Sequence, residues 1–174
     1  MTDAVIRVMS LDAGLLRRNP AGALAAVGEA APDVIAVTGA PRYLRWRSKR
    51  AAIARRLGMV VATADREGGM FVITTLRAAV VDRSFAVSSS SAGTSPAVVT
   101  ATVELHGHKW RIVVAAPGGA PEISVSDVPA VVVGGVGGPG GIGVDRAVTV
   151  VSCEPVKMPG DVAPRPPMLA VVAR

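Results

Sequence analysis

The sequence predicts an α/β sandwich of mixed β-sheets with two early helices covering one outer face. Three observations carry this. The first third alternates strand, helix, strand, helix, and everything after it reads as strands. From Met59 onward the hydrophobic period is two, in Val-rich blocks bounded by Gly, Pro or Ser. Apolar residues make up 50% of the chain with only 3% aromatic, so the core must be built from many small β-branched contacts rather than a few large anchors. At 174 residues the chain is expected to form a single domain, 1–174.

Val5 to Leu11 reads as the first strand, followed by "AGLLRRNP" as a loop. Asn19 and then Pro20 are a cap and a first helical residue, and that helix runs to about Ala30. Pro32 and Asp33 break it, Val34 to Val37 forms a buried strand, and Gly39 ends the strand. A second helix spans about Pro41 to Leu57, closed by Gly58 at the position after the cap. The later strands are expected at Met59 to Ala64, Met70 to Leu76, Ala79 to Val87, Ala97 to His106, Lys109 to Ala115, Ala130 to Val133, Ala147 to Ser152 and Met168 to Ala173. "SSSSAGTSP" joins two of them as a flexible loop, and "EPVKMPGDVAPRPP" is a Pro-stiffened approach to the last.

Nineteen Lys plus Arg against thirteen acids give a net charge of +6, which favours anionic partners such as nucleic acid or an acidic protein. The single cysteine, Cys153, excludes an internal disulfide framework and fits a reducing compartment. Asp3, Arg7 and Asp12 interrupt the N-terminal apolar run, so it does not read as a secretory signal, and no run reaches the ~20 apolar residues of a membrane span. The expectation is a cytoplasmic protein, or one packaged within an assembled particle, that does not engage a membrane.

The ordered segments resemble the endonuclease/exonuclease/phosphatase superfamily, the fold of deoxyribonuclease-like and apurinic endonuclease-like phosphodiesterases. "IRVMSLDAG" is similar to that family's opening "lrv-T-W-N" strand, and "APDVIAVTGA" to its "PDvi-L-Q-E-v" strand. "RAAIARRLGM" resembles the helix and turn that follow. "HKWRIVVAAP" resembles the strand ending in "T-H-L", "PAVVVGGVGG" the "G-D-F-N" strand, "GVDRAVTV" the "iDyilv" strand, and "APRPPMLAVVAR" the closing "S-D-H-r-P" strand. The match runs in order through nearly the whole chain. It implies a four-layer-type α/β sandwich, here reduced, because the chain between Ala116 and Pro129 is too short for the helix the family places there.

Taken one at a time, the residues that the resemblance makes functional fall mostly on side chains without chemistry. The metal-binding glutamate falls on Gly39, after Thr38. The histidine falls near Ala116 or Pro117, the aspartate and asparagine of the glycine turn on Gly135 and Gly137 with Gly134 retained, and the closing aspartate and histidine on Ala163 and Pro164. Only Asp12, in the place of the first asparagine, still offers an oxygen. Phosphodiester hydrolysis needs a divalent ion held by carboxylates, a base for water and donors for the phosphoryl oxygens, and a lone aspartate supplies neither the ligand count nor the base. The expectation is therefore no catalytic residue, no metal site and no cofactor: a pseudoenzyme acting as a binding or structural module. A protein partner, self-assembly through exposed Val-rich strands, or nucleic acid would engage it, and a viral particle or a larger complex is a fitting context. The alternative is a metal-dependent phosphodiesterase using Mg²⁺, with a site rebuilt from Asp12 and Asp145, helped by Asp127 or Asp161.

The stretch "VVVGGVGGPGGIGVD", with seven glycines from Gly134 to Gly143, lacks the Lys and Ser/Thr of a phosphate-binding loop and reads as a mobile loop stripped of function, with anion binding by its backbone N–H groups as the alternative. In the second helix Tyr43, Trp46, Ile53 and Leu57, with Arg50 between them, form the face that packs on the sheet. At ~100° per residue, Arg42, Arg45, Lys49 and Arg56 then fall on one adjacent stripe, a candidate surface for phosphates or an acidic protein, set against the plain reading of a solvated face. "HGH", His106 to His108, reads as a hairpin turn rather than a metal pair, and Cys153 as a small core residue.

Overall fold

A computed structural model of the chain describes residues 4–40, 46–63, 69–87, 97–115, 128–134, 142–144, 149–156 and 167–173. The element order is β1 (Val5–Asp12), α1 (Ala13–Arg18), α2 (Pro20–Ala30), β2 (Val34–Thr38), α3 (Trp46–Arg56), β3 (Val60–Val61), β4 (Phe71–Thr74), β5 (Ala79–Val87), β6 (Ala97–Leu105), β7 (His108–Ala115), β8 (Ala130–Val133), β9 (Ile142–Val144), β10 (Thr149–Pro155) and β11 (Met168–Ala173). Two mixed sheets result. One has the strand order β10-β11-β1-β2-β4-β3 and the other β5-β6-β7-β8-β9, with a parallel pair inside each, β1 with β2 and β7 with β8. This is the expected α/β sandwich of mixed sheets.

Period-two alternation sorts the side chains between layers. Ile6 and Val8 of β1, Val34 and Ala36 of β2, and Val72 of β4 face the second sheet. They meet Val99, Ala101 and Val103 of β6, Ile112 and Val114 of β7, and Val131 and Val133 of β8. The intervening Met9, Leu11, Ile35, Val37, Phe71 and Ile73 face outward and are covered by Leu15 and Leu16 of α1, Ala23 and Val27 of α2, and Ala54 of α3. Central strands of the first sheet are thus buried on both faces, which is why β2 reads as an unbroken apolar run. Each fully buried Val or Ile contributes roughly 1.5–3 kcal/mol, so many modest side chains build the core. The large exception is Trp110, 1% exposed between the sheets, which the sequence reading did not single out.

The helix ends follow from capping chemistry. Asn19 Oδ1 accepts the Gly22 N–H at 2.9 Å and Pro20 stands in the first turn, as expected for α2. At the end of α3 the Gly58 N–H donates to the Arg55 carbonyl at 3.1 Å and the Met59 N–H to the Ala54 carbonyl at 2.9 Å, with Gly58 at φ 66°. That pair of bonds is a Schellman motif, and the buried Met59 and Ala54 supply its apolar contact.

Four expectations change. "AGLLRRNP" is not all loop, because Asp12 caps a short helix, α1, whose Leu15 and Leu16 are buried; the helices on that face are α1, α2 and α3. β3 is two residues and β4 four, both shorter than the apolar runs around them, because their ends are set by where a partner strand is available. β10 starts at Thr149 and reaches Pro155, through a register shift between Val150 and Ser152. The glycine-rich stretch is a strand connection: Ile142–Val144 forms β9 antiparallel to β8, with Gly143 opposite Val132, while residues 135–141 lie outside the described residues. His106 and Gly107, at φ 52° and 80°, form the two-residue hairpin turn expected between β6 and β7. Cys153 lies in β10 opposite Ala170, but its side chain lies outside the described residues, and so does that of Trp46.

β5 forms one edge of the second sheet. A register shift between Val80 and Asp82 breaks its pairing with β6, and the exposed Arg83 lies opposite the inward-facing Ala101. Bulges and inward charges of this kind oppose edge-to-edge pairing, even though Val80, Val81 and Phe85 are exposed beside them. Among the described residues no helix is long and apolar enough to cross a membrane.

Candidate functional site

The parallel register of β1 and β2 sets Asp12 beside Thr38 at the ends of the two central strands, where the resemblance places the mouth of the sandwich. Asp12, half-buried, is the last residue of β1 and the N-cap of α1. Its Oδ1 accepts the Gly14 N–H at 2.5 Å, satisfying one of the donors a helix start leaves open. Gly39 follows β2 at φ 67°, a left-handed conformation that favours glycine, and the Ala40 N–H behind it donates to the Gly69 carbonyl at 2.8 Å. A Cβ at Gly39 would stand 3.1 Å from Asp12 Oδ1, so the carboxylate lies directly over the glycine.

In the second sheet β7 and β8 run parallel and end at Ala115 and Val133. Gly134 then turns the chain at φ 82°, and a Cβ there would stand 2.5 Å from the Ala115 carbonyl oxygen. No side chain fits in that space. The glycine is demanded by the close approach of two backbones, whatever chemistry the turn carries.

Of the residues expected at a rebuilt site, Asp12 is at the mouth, while Asp145, Asp127 and Asp161 lie outside the described residues, as do Ala116, Pro117, Gly135, Gly137, Ala163 and Pro164. Among the described residues no three of His, Cys, Asp or Glu converge on one point. A divalent cation of the Mg²⁺ or Ca²⁺ kind takes about six or more oxygen ligands. Among the described residues the mouth offers one carboxylate, Asp12, with an oxygen already engaged by a backbone donor, which is fewer ligands than such an ion takes.

The basic stripe lies elsewhere. Lys49 and Arg56 are exposed on α3, on the outer helical face of the first sheet, and Arg42 and Arg45 lie outside the described residues. Lys49 and Arg56 both line a groove of about 350 Å³ between α3 and the α1–α2 pair, with Leu16, Leu24 and Ile53 among its apolar walls. Arg17 of α1 lines the same groove, a third cation that was not anticipated from the sequence. No linear pattern links Arg17 to Lys49, since they meet only because both helices pack on one sheet. Arg50, expected on the sheet-facing side, is buried there at 8% exposure, its guanidinium 6.0 Å from the centre of the Phe71 ring.

No protein-family model matches the sequence, and no characterised sequence matches it. Solved structures do. An endonuclease/exonuclease/phosphatase from Bacteroides vulgatus superposes with a TM-score of 0.68 at 12% identity, over 97% of this chain and 98% of that one. The human Nocturnin catalytic domain with bound sulfate anion gives 0.67 at 12% identity, over 98% and 97%. The D. rerio TDP2 humanized by 14 mutations gives 0.65 at 11% identity, over 97% and 98%. The chain has the endonuclease/exonuclease/phosphatase fold, and at such identities the likeness establishes that architecture alone.

Proposed function

We propose that this domain is a chemically silent member of the endonuclease/exonuclease/phosphatase fold that serves as a binding module for an anionic partner. The observation that carries it is the use made of Asp12. The one mouth carboxylate among the described residues is spent on capping α1 and lies over a glycine, not beside a second acid. Hydrolysis of a phosphodiester by such a site would need a cation, a base and oxyanion donors together, and units of this kind lose orders of magnitude in rate when one member goes. The exposed Lys49 and Arg56, together with Arg17, provide a positive surface on the helical face, which supports binding rather than turnover.

The test is direct. The protein, incubated with supercoiled plasmid and with a labelled oligonucleotide in Mg²⁺ or Mn²⁺, is expected to leave both intact. Cleavage that disappears in Asp12→Ala would show that the aspartate is catalytic and would overturn the reading.

A further inference from the structure

The grooves on the helical face go beyond a general basic surface. A second groove, about 670 Å³, continues from the first between the C-terminal half of α2 and the end of α3, and the two share Leu24 and Arg56. α2 and α3 pack on the sheet rather than closely on each other, so the trough between them runs beside α2 from Pro20 to Ala31. At 1.5 Å per residue that is about 16 Å, close to three helical turns. Gly28 helps to keep the trough wide, since its wall there carries no side chain and a Cβ at that position would meet nothing within 4 Å.

Its chemistry is one-sided. The floor is apolar, from Leu16, Leu24 and Ile53 in one half to Val27, Leu57 and Met59 in the other. The rim is cationic: Arg17 on one wall, Lys49 and Arg56 on the other, and Arg77 at the far end, all four exposed. Among the described residues the one acid lining the trough, Asp33, already accepts the Arg7 N–H on its Oδ2 at 2.9 Å. Lys49 and Arg56 are seven positions apart on α3 and so lie on one face, about 10.5 Å apart along the axis.

We propose that this trough is a docking site for an acidic amphipathic helix of a protein partner, about three turns long. Its apolar side chains, at i, i+3 or i+4, and i+7, fill the floor, and acidic residues two turns apart meet Lys49 and Arg56. A nucleic-acid strand would pair its phosphates with the rim but leave the leucine, isoleucine and methionine floor without an apolar occupant. A single acyl chain would fill the floor yet answer only one of four cations. Such a partner rests on the binding reading above and narrows it to one class, and it does not depend on whether the mouth has activity.

The test is selection of 15-residue peptides from a random display library on the full-length protein. The enriched peptides are then measured as fluorescein conjugates by anisotropy, beside a labelled single-stranded 20-nucleotide DNA and dodecanoate as competitor. The expected winners carry Leu, Ile or Phe at helical spacing and Glu or Asp seven apart. Reversing two rim charges, in Lys49→Glu plus Arg56→Glu, is expected to weaken them about tenfold or more. Ile53→Glu should weaken them at least as much, and circular dichroism melts confirm that both variants fold. No enrichment, winners without acids, or binding indifferent to both variants would overturn the proposal. So would DNA or dodecanoate binding at the trough in place of the peptides. Plasmid cleavage by the same preparation would sink the silent-module reading while leaving the peptide result as it stands.

Discussion

Asp12 Oδ1 stands 3.1 Å from the point where a Cβ on Gly39 would lie. Two strand ends are held in parallel register, and the space between them is filled by a carboxylate on one side and by bare backbone at φ 67° on the other. Placing a side chain at 39 therefore meets both strain and a close neighbour. Gly39→Glu, the substitution that would put back the acid the resemblance implies, is expected to lower stability by about 1–2 kcal/mol from the left-handed backbone alone, and like charge beside Asp12 adds to that. Urea unfolding of the variant reads the loss, and calorimetric titration with Mn²⁺ is expected to show no tight site. A stable variant that binds Mn²⁺ tightly would mean that the mouth still keeps a metal geometry.

Because Asp12 accepts the Gly14 N–H, its replacement tests a capping role separately from a catalytic one. Asp12→Ala is expected to cost about 1 kcal/mol, which for a chain of this size lowers the Tm by roughly 2–4 °C. Asp12→Asn keeps an acceptor oxygen and should recover most of the loss. If Asn destabilises as much as Ala, the side-chain acceptor is not what matters at this position.

Much of the architecture is legible because it rests on local chemistry. Asn19 followed by Pro20 announces α2, Gly58 announces the end of α3, and Val-rich period-two blocks announce β5, β8 and β11 with their bounds intact. What escapes depends on partners distant in sequence. α1 is six residues, too short for a periodic signal, and the resemblance gives its cap, Asp12, the place of a metal-site residue rather than of a helix start. β9 is a strand because β8 pairs with it; Ile142 and Val144 favour strands, but the glycines around them break up any readable period. The helical stripe of Lys49 and Arg56 follows from the ~100° turn per residue of a helix, but the groove that makes it a surface requires α1 and α2 to arrive on the same sheet.

Two glycines with similar backbone angles separate steric demand from conformational demand. At Gly58, φ 66°, a Cβ would meet nothing within 4 Å; at Gly134, φ 82°, it would meet the Ala115 carbonyl oxygen at 2.5 Å, and that oxygen belongs to a buried strand. Gly58→Ala is expected to cost about 1 kcal/mol of left-handed strain. Gly134→Ala should cost roughly 2–4 kcal/mol, because overpacking against immobile backbone adds to the same strain. Chemical denaturation of the pair measures the difference, and equal losses would remove the argument that backbone approach fixes Gly134.

β5, at the edge of the second sheet, pairs among the described residues with β6 alone and exposes Val80, Val81 and Phe85. It would invite another strand were it not for the register shift at Val80 and Asp82 and for Arg83 on its inward side. A strand added at this edge would bring a second side chain against the Arg83 guanidinium and desolvate it, a cost that an apolar residue would not carry. Arg83→Val removes that charge and leaves a longer apolar face with high strand preference. Size-exclusion chromatography with light scattering is expected to show the wild-type mass unchanged on concentration and Arg83→Val shifting to larger species, accompanied by thioflavin binding on storage. If the variant stays at the wild-type mass at every concentration, Arg83 is not what guards this edge, and the bulge between Val80 and Asp82 carries that role by itself.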